Sequence, residues 1–90
     1  MDFHAPRPEL ADKADLFRAL GDRTRLHILH LLRDRERCVR DLVDDLEMAQ
    51  ATVSHHLRIL AGARLVVANR RGRENFYRTT ILVQKPLSIF

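Results

Sequence analysis

Two adjacent histidines, His55 and His56, stand at the centre of the stretch ATVSHHLRIL. Imidazole is a common ligand of zinc, copper and nickel, so this doublet first suggests a metal site. Neighbouring residues of an α-helix are, however, about 100° apart around the helix axis. Side chains that share one ion come more readily from positions three or four residues apart. The doublet is therefore better interpreted as the polar side of a helix that contacts another molecule.

The remaining candidate metal ligands are His27, His30 and Cys38, and they form a weak set. His27 and His30 have a spacing that suits one ion, but no third ligand is obvious beside them, so an exposed or interfacial pair is favoured. Cys38 is the single cysteine of the chain. It is interpreted either as a small buried hydrophobe or as a redox-active thiol whose pKa is lowered by Arg37, Arg40 and a helix start. These residues do not define a cofactor.

Size and composition indicate one small domain. The chain has 90 residues, of which 46% are hydrophobic, and a core of this size leaves little stability in reserve. A partner subunit is therefore expected. The single cysteine excludes an internal disulfide and favours a reducing compartment. Because the sequence has no signal-type apolar run and no stretch of membrane-spanning length, we expect a soluble cytoplasmic protein without a membrane partner.

Charge is distributed unequally between the two halves of the chain. Residues 1–47 contain nine Lys and Arg against eleven Asp and Glu, whereas residues 48–90 contain seven against one. The net charge of +4 therefore arises from the second half. This asymmetry indicates a polyanionic partner, with nucleic acid ahead of a membrane surface. The alternative is that the charge only keeps a small protein in solution.

Apolar periodicity predicts four helices after an extended lead-in at residues 1–8. The first helix runs from Glu9 to Leu20 and is stopped by Gly21, and Asp22 is expected to cap the second. The predicted apolar faces of the four helices are, in chain order, Leu10, Ala14, Phe17 and Leu20; Leu26, Ile28, Leu29 and Leu32; Val39, Leu42, Val43 and Leu46; and Val53, Leu57, Leu60 and Ala61.

The pattern changes from helical to β-rich after the fourth helix. Two β-rich runs flank the polar stretch 69–73, whose Gly72 suits a tight turn, and together they predict a hairpin. The order α-α-α-α-β-β contains a short helix, a tight turn and an amphipathic helix, which make a helix-turn-helix, and the hairpin makes it a winged one. This mainly α domain is predicted for residues 9–80. The short apolar segment 81–90 has no assigned structure and is a predicted dimer contact.

Four segments follow one another in the chain: LFRALGDRTRLHILHLL, VSHHLRIL, a small-residue turn into RLV, and a GR-containing wing. Their types and order strongly resemble the ArsR/SmtB family of bacterial winged-helix repressors. The resemblance covers residues 16–78. It implies a homodimeric transcriptional repressor that binds a palindromic operator in double-stranded DNA. It also implies an inducer that releases the operator, namely a metal ion, a metalloid, or a redox or sulfur species.

A helix that reads the major groove needs short polar side chains near its N-terminus and an apolar face to anchor it. Residues 50–58 fulfil both requirements: Gln50 can pair with adenine, and His55 or Arg58 can donate to guanine or phosphate. His56 is expected to pack partly against its own domain. Three arginines of the wing are expected to reach phosphates or a narrow minor groove. The predicted DNA-binding residues are Gln50, Thr52, Ser54, His55, His56, Arg58, Arg70, Arg71 and Arg73.

The resemblance also implies two kinds of inducer site, and this sequence departs from both. The thiolate site of the family has a motif like ELCVCDL, whereas the stretch here is ERCVRDL, with Cys38 at the first cysteine and Arg40 at the second. One thiol per chain cannot form a trigonal arsenic, antimony or lead site. The other family site uses Asp and His on a C-terminal helix, but TTILVQKPLSIF contains neither. The inducer stays unassigned.

Two function classes other than DNA binding are less consistent with the sequence. An enzyme is not expected, because the sequence has no nucleophile–base set, no paired catalytic carboxylates and no phosphate-binding glycine loop. The alternative is a winged-helix protein-interaction module that does not bind DNA. The basic second half argues against this alternative, since a protein-binding wing has no need of excess positive charge.

Overall fold

The computed structural model describes residues 8–80, and the predictions made for residues 1–7 of the lead-in and for segment 81–90 lie outside this range. Pro8, predicted as the last residue of the lead-in, is the first residue of the first helix. Four helices precede and flank a small antiparallel sheet, as the sequence predicts. The elements are α1 (Pro8–Leu20), α2 (Arg23–Leu31), β1 (Arg37–Cys38), α3 (Val39–Leu46), α4 (Gln50–Gly62), β2 (Val66–Arg71) and β3 (Glu74–Thr79). Within residues 8–80 no helix combines the length and the apolar character needed to cross a membrane.

The apolar face predicted for α1 is wrong. Ala19 is fully buried and Leu16 packs against the core, whereas Phe17 is 69% exposed and Ala14 also faces outward. Of the predicted face only Leu20 packs against the core, and the side chain of Leu10 lies outside the described residues. The helix carries two overlapping apolar stripes with helical spacing, and periodicity cannot decide which of them meets the neighbouring helices.

The start of α2 confirms the predicted cap. Asp22 has an extended backbone, and its carboxylate accepts a hydrogen bond of 3.0 Å from the backbone N–H of Arg25. Three of the four predicted core residues of this segment are buried, namely Ile28, Leu29 and Leu32. The fourth, Leu26, is 39% exposed and was wrongly assigned to the core.

The helix-turn-helix consists of α3, a three-residue turn and α4. Helix α3 ends at Glu47, whose φ of 54° is left-handed, and Ala49 then starts α4 from an extended conformation. Leu42 of α3 is fully buried. The predicted anchoring face of α4 is confirmed for Val53, Leu57 and Leu60, all 1% exposed or less, but Ala61 faces solvent.

The wing contains one more strand than the sequence predicts. Strand β3 lies in the middle of the order β1-β3-β2, and the two-residue β1 pairs with it through Arg37 opposite Tyr77 and Cys38 opposite Phe76. A strand of two residues leaves no alternation in the sequence, so it could not be foreseen. The hairpin turn is also tighter than expected, because Arg71 pairs with Glu74 and only two residues connect them.

Glycine is required at the first position of that turn. Gly72 has a φ of +62°, a left-handed conformation that side chains with a Cβ rarely adopt. The stretch 69–71, predicted as part of the tip, belongs to strand β2. Two buried residues at the base of the wing, Leu65 and Val66, join the hairpin to the helical core.

Candidate nucleic-acid interface

Helix α4 has one face in the core and a polar face in solvent. Gln50, Thr52, His55 and Arg58 are exposed, and Ser54 is half-buried. Within the described part of the chain, Gln50, His55 and Arg58 make no side-chain hydrogen bond or ion pair. Their donors and acceptors are therefore available to an external partner. The sequence places these groups correctly because the buried positions of α4 leave only one direction for them.

The two histidines of the doublet have different surroundings. The side chain of His56 is only 14% exposed, and its Nδ1 lies 3.1 Å from an Nη1 of Arg25 and 3.9 Å from a carboxylate oxygen of Asp22. The imidazole centres of His55 and His56 are 5.7 Å apart with a tilt of 58°. The expectation that His56 packs against its own domain is confirmed. The diverging rings do not form a shared metal site.

Arg25 connects three helices around His56. Its Nε donates to the carbonyl of Ala19 at 2.8 Å, and its Nη2 donates to the carbonyl of Arg18 at 3.1 Å, both near the C-terminus of α1. The hydrogen bond from the Arg25 backbone N–H, together with the adjacent guanidinium, lowers the pKa of Asp22 below 3.8. The end of α1, the start of α2 and the middle of α4 therefore share one polar junction. This junction joins the polar side of α4 to α1 and α2, next to the buried face formed by Val53, Leu57 and Leu60.

The wing arginines are exposed, but they differ in their contacts. The guanidinium of Arg71 lies 4.6 Å from the ring centre of Phe76 and forms an ion pair with Glu36. Arg70 donates from Nε to the carbonyl of Gly72 at 3.2 Å. For Arg73, in the turn, no side-chain partner exists among residues 8–80. Among these three arginines, only Arg73 has a side chain without a hydrogen bond, ion pair or ring contact to the described residues.

Sequence reasoning missed a third basic element of this surface, Arg40 on α3. Arg40 is 71% exposed and pairs with Glu74 of the wing at 3.1 Å. A cleft of about 280 Å³ separates α3 from the wing turn, and it is lined by Val39, Arg40, Val43, Gln50, Arg73, Glu74 and Asn75. The signal that could have found Arg40 is its position at the start of the first helix of a helix-turn-helix, the helix that crosses the DNA backbone.

Comparison with known proteins identifies the family. The model of the bacterial regulatory proteins of the arsR family matches residues 22–67, from the cap of α2 to the start of the wing. The chain belongs to the ArsR family. It is 47% identical over 78 residues to the HTH-type transcriptional repressor SmtB of Mycobacterium tuberculosis, an alignment that covers 84% of this chain and 58% of the repressor. The chain thus spans less than two thirds of that relative's length.

Further similarities of this ArsR-family chain are to one more curated regulator and to two solved structures. An uncharacterised HTH-type transcriptional regulator of Methanocaldococcus jannaschii is 48% identical, over 71% of this chain and 73% of that protein. A solution structure of a homodimeric winged helix-turn-helix DNA-binding domain from Mycobacterium bovis superposes with a TM-score of 0.76 at 33% identity, covering 88% of this chain and 75% of that one. HlyU of Vibrio cholerae superposes with a TM-score of 0.74 at 31% identity, covering 82% and 80%.

In this member of the ArsR family, the proposed reactivity of Cys38 finds no support. Cys38 is 6% exposed, and burial raises the pKa of its thiol, as do the nearby side chains of Glu74 and Asp41. The expectation that Arg37 and Arg40 lower this pKa is wrong. Both guanidinium groups are turned toward carboxylates, that of Arg37 toward Asp45 at 2.7 Å and that of Arg40 toward Glu74.

The histidine pair on α2 is likewise not part of a ligand cluster. His27 and His30 are exposed, and Nη1 of Arg33 lies 2.9 Å from Nδ1 of His30. A cation in this position competes with a metal ion for the imidazole lone pair. No group of three His, Cys, Asp or Glu side chains within residues 8–80 could hold a metal.

Proposed function

We propose that this chain is a homodimeric, sequence-specific DNA-binding repressor that uses α4 as its recognition helix. The observation that carries the proposal is the exposed polar face of α4, whose Gln50, His55 and Arg58 side chains have no hydrogen-bond or ion-pair partner within the described residues. A buried donor or acceptor without a hydrogen-bond partner costs free energy, whereas exposed donors and acceptors are free to contact base edges in the major groove. The repressor and regulator names of the relatives support this function and argue against an enzyme.

The residues of α4 have distinct proposed roles. Gln50 and Arg58 read base edges, because an amide can pair with adenine and a guanidinium with guanine. Thr52, Ser54 and His55 contact phosphates or base edges. His56 acts as a positioning residue, since its Nδ1 is turned toward Arg25 and Asp22. The arginines of the wing, Arg70, Arg71 and Arg73, contact phosphates or a narrow minor groove.

Dimerisation supplies the second recognition helix, which reads the second half-site of a palindromic operator. Phe17, 69% exposed on α1, is an apolar side chain that a second subunit would cover, and the M. bovis domain at 33% identity is homodimeric. Two recognition helices related by a two-fold axis read two half-sites about one helical turn apart. The segment 81–90 is proposed as a further dimer contact, and the cytoplasm as the place of action.

An inducer of metal, metalloid, redox or sulfur chemistry is part of the proposal, but its site is not assigned. The buried Cys38 is proposed to have a packing role, so Cys38→Ser is expected to repress as the native protein does. Loss of the inducer response in Cys38→Ser, with repression intact, would instead identify Cys38 as the sensor.

The experiment is a titration of duplex DNA from upstream of the protein's own gene, over a salt series, with a shuffled duplex beside it. Arg58→Ala should weaken binding by about 1–3 kcal/mol and relax base preference, whereas Arg71→Ala should weaken binding to all sequences and reduce the salt slope by about 1. Lys13→Ala, on exposed α1, is the matched control. Binding by both arginine variants that equals the native protein's at every salt concentration would disprove the docking and favour the protein-interaction alternative.

A further inference from the structure

A cleft lies between α3 and the wing, on the side of the molecule that carries Gln50. Its volume is about 280 Å³, and residues of α3, α4 and the wing line it. Arg40 comes from α3, Gln50 is the first residue of α4, and Arg73 and Asn75 come from the wing turn and β3. A cleft built by elements distant in sequence exists only in the folded domain.

The polar groups around this cleft are mostly donors. Two guanidinium groups and two side-chain amides line it, against the single carboxylate of Glu74. Arg40 is 71% exposed, and its ion pair with Glu74 spans 3.1 Å. An exposed ion pair of this kind stabilises a fold by little, so its cation can change partner at low cost. Guanidinium groups bind phosphate through two parallel hydrogen bonds.

We propose that the cleft is a binding site for one phosphodiester of the DNA backbone, with Arg40 and Arg73 as its cationic ligands and Glu74 as an internal competitor. On binding, Arg40 exchanges the carboxylate of Glu74 for a phosphate oxygen. The inference rests on the proposed function and extends the interface from α4 and the wing to α3. It assigns a role to Arg40, which the sequence presents only as a substitute for a cysteine and as a cation beside Cys38.

The duplex backbone is preferred over a free anion because of the neighbours of the cleft. Gln50 belongs both to the cleft and to the polar face of α4, so a strand whose bases contacted α4 would lie next to the opening. Val39 and Val43 form apolar parts of the lining. A small hydrated anion gains nothing from apolar walls, whereas a deoxyribose of the same strand can pack against them.

The test combines Arg40→Gln with DNA in which single phosphates are replaced by uncharged methylphosphonates. Each phosphate contact changes the slope of log affinity against log salt by about 0.9, so Arg40→Gln should lower affinity about fivefold per chain at 0.15 M salt. One methylphosphonate position should weaken the native protein at least as much, and it should have a smaller effect on Arg40→Gln, in which only Arg73 remains to contact that phosphate. A merely structural role for Arg40 would not produce this dependence on one phosphate. Glu74→Gln should raise affinity, and Lys13→Gln should not change it.

The outcomes separate the two proposals. If native protein and Arg58→Ala differ on operator DNA as expected but Arg40→Gln equals Lys13→Gln at every phosphate position, the cleft proposal is overturned and DNA recognition by α4 stands. If the native protein binds neither duplex, both proposals fail. If inorganic phosphate at constant ionic strength shifts the side-chain amide signals of Gln50 and Asn75, and methylphosphonates show no coupling to Arg40, the cleft binds a free anion and the backbone assignment is wrong.

Discussion

The proposed recognition helix, α4, and the wing strand β2 differ in how their polar side chains are held. On α4, Arg58 and His55 extend into solvent without a hydrogen bond or ion pair to the rest of residues 8–80, whereas Arg71 is held by Glu36 and Phe76. A side chain that contacts a base edge needs a hydrogen-bond donor that has no partner in the protein and a fixed orientation. A side chain that binds phosphate needs only a positive charge that can leave its partner in the protein. In the proposed function, the buried side of α4 supplies the orientation, and the ion pair with Glu36 is weak enough for Arg71 to exchange it for a phosphate.

The acidic first half and the basic second half of the chain meet at the wing. The acidic first half contributes Glu36, which lies against Arg71 of the basic second half. The excess positive charge of residues 48–90 is thus partly offset by an acid that folding brings to the wing. Because sequence-independent binding depends on such cations, the acid should reduce affinity for arbitrary DNA more than affinity for a base sequence that α4 reads.

The largest expected effect separates the two faces of α4. Leu57 is 1% exposed, so Leu57→Ala should lower the free energy of unfolding by about 2–5 kcal/mol, through lost burial and the cavity that remains. The neighbouring Arg58→Ala should change it by about 0.5 kcal/mol or less. Urea unfolding of the two variants measures the contrast. Equal losses in the free energy of unfolding would mean that the Arg58 side chain stabilises the fold and is not available to contact bases.

The next effect distinguishes the two histidines. His56→Ala removes the acceptor beside the Arg25 guanidinium, and hydrogen bonds of this charged kind contribute about 1.5–3 kcal/mol to stability. His55→Ala should leave the free energy of unfolding almost unchanged and weaken operator binding instead. Unfolding curves and DNA titrations of both variants test this division. A His55→Ala variant that is the less stable of the two would reverse the assigned roles.

The junction behind α4 should also give a pH dependence. The folded pKa of Asp22 lies below its ordinary 3.8, so its ionised form stabilises the native state. That contribution is complete above pH 3.8, declines as the pH falls below this value, and is lost below the folded pKa. At neutral pH, Asp22→Ala should cost about 1 kcal/mol as a lost helix cap, and Asp22→Asn, which can still cap, should cost less.

The measurement is the free energy of unfolding of native protein, Asp22→Asn and the exposed-site control Asp12→Asn between about pH 6 and pH 2. The native protein and Asp12→Asn should lose stability more steeply in acid than Asp22→Asn. Parallel curves for all three proteins would show that ionised Asp22 does not contribute to the loss of stability in acid.

The smallest effect concerns the wing. Glu36→Gln breaks the ion pair with Arg71, and exposed pairs contribute only about 0.2–1 kcal/mol to stability. Affinity for shuffled DNA should nevertheless rise, because Arg71 no longer has a carboxylate to leave. Asp34→Asn, an exposed acid of the same loop, provides the control for a general change of charge. An equal rise in both variants would show that the pairing with Arg71 is unimportant.

Local patterns in the sequence were sufficient for several features of this protein. The cap at Asp22, the anchoring residues Val53, Leu57 and Leu60, and the order of helices and hairpin follow from side-chain periodicity and from end signals that act over a few residues. These features depend on neighbours in the chain, so the chain itself contains the information for them. Family membership could be inferred for the same reason, because its motif VSHHLRIL is contiguous.

Tertiary structure alone decided which partner each exposed charge meets. Four features depend on contacts between residues far apart in the chain. They are the rotation of α1 that leaves Phe17 exposed, the strand at Cys38, the pairing of Arg71 with Glu36, and the cleft around Arg40. Periodicity determines that a side chain is polar and exposed, but it contains no distance to a residue 35 positions away. The pKa of Cys38 has the same origin: the sequence shows arginines beside it, and folding turns them away and buries the thiol.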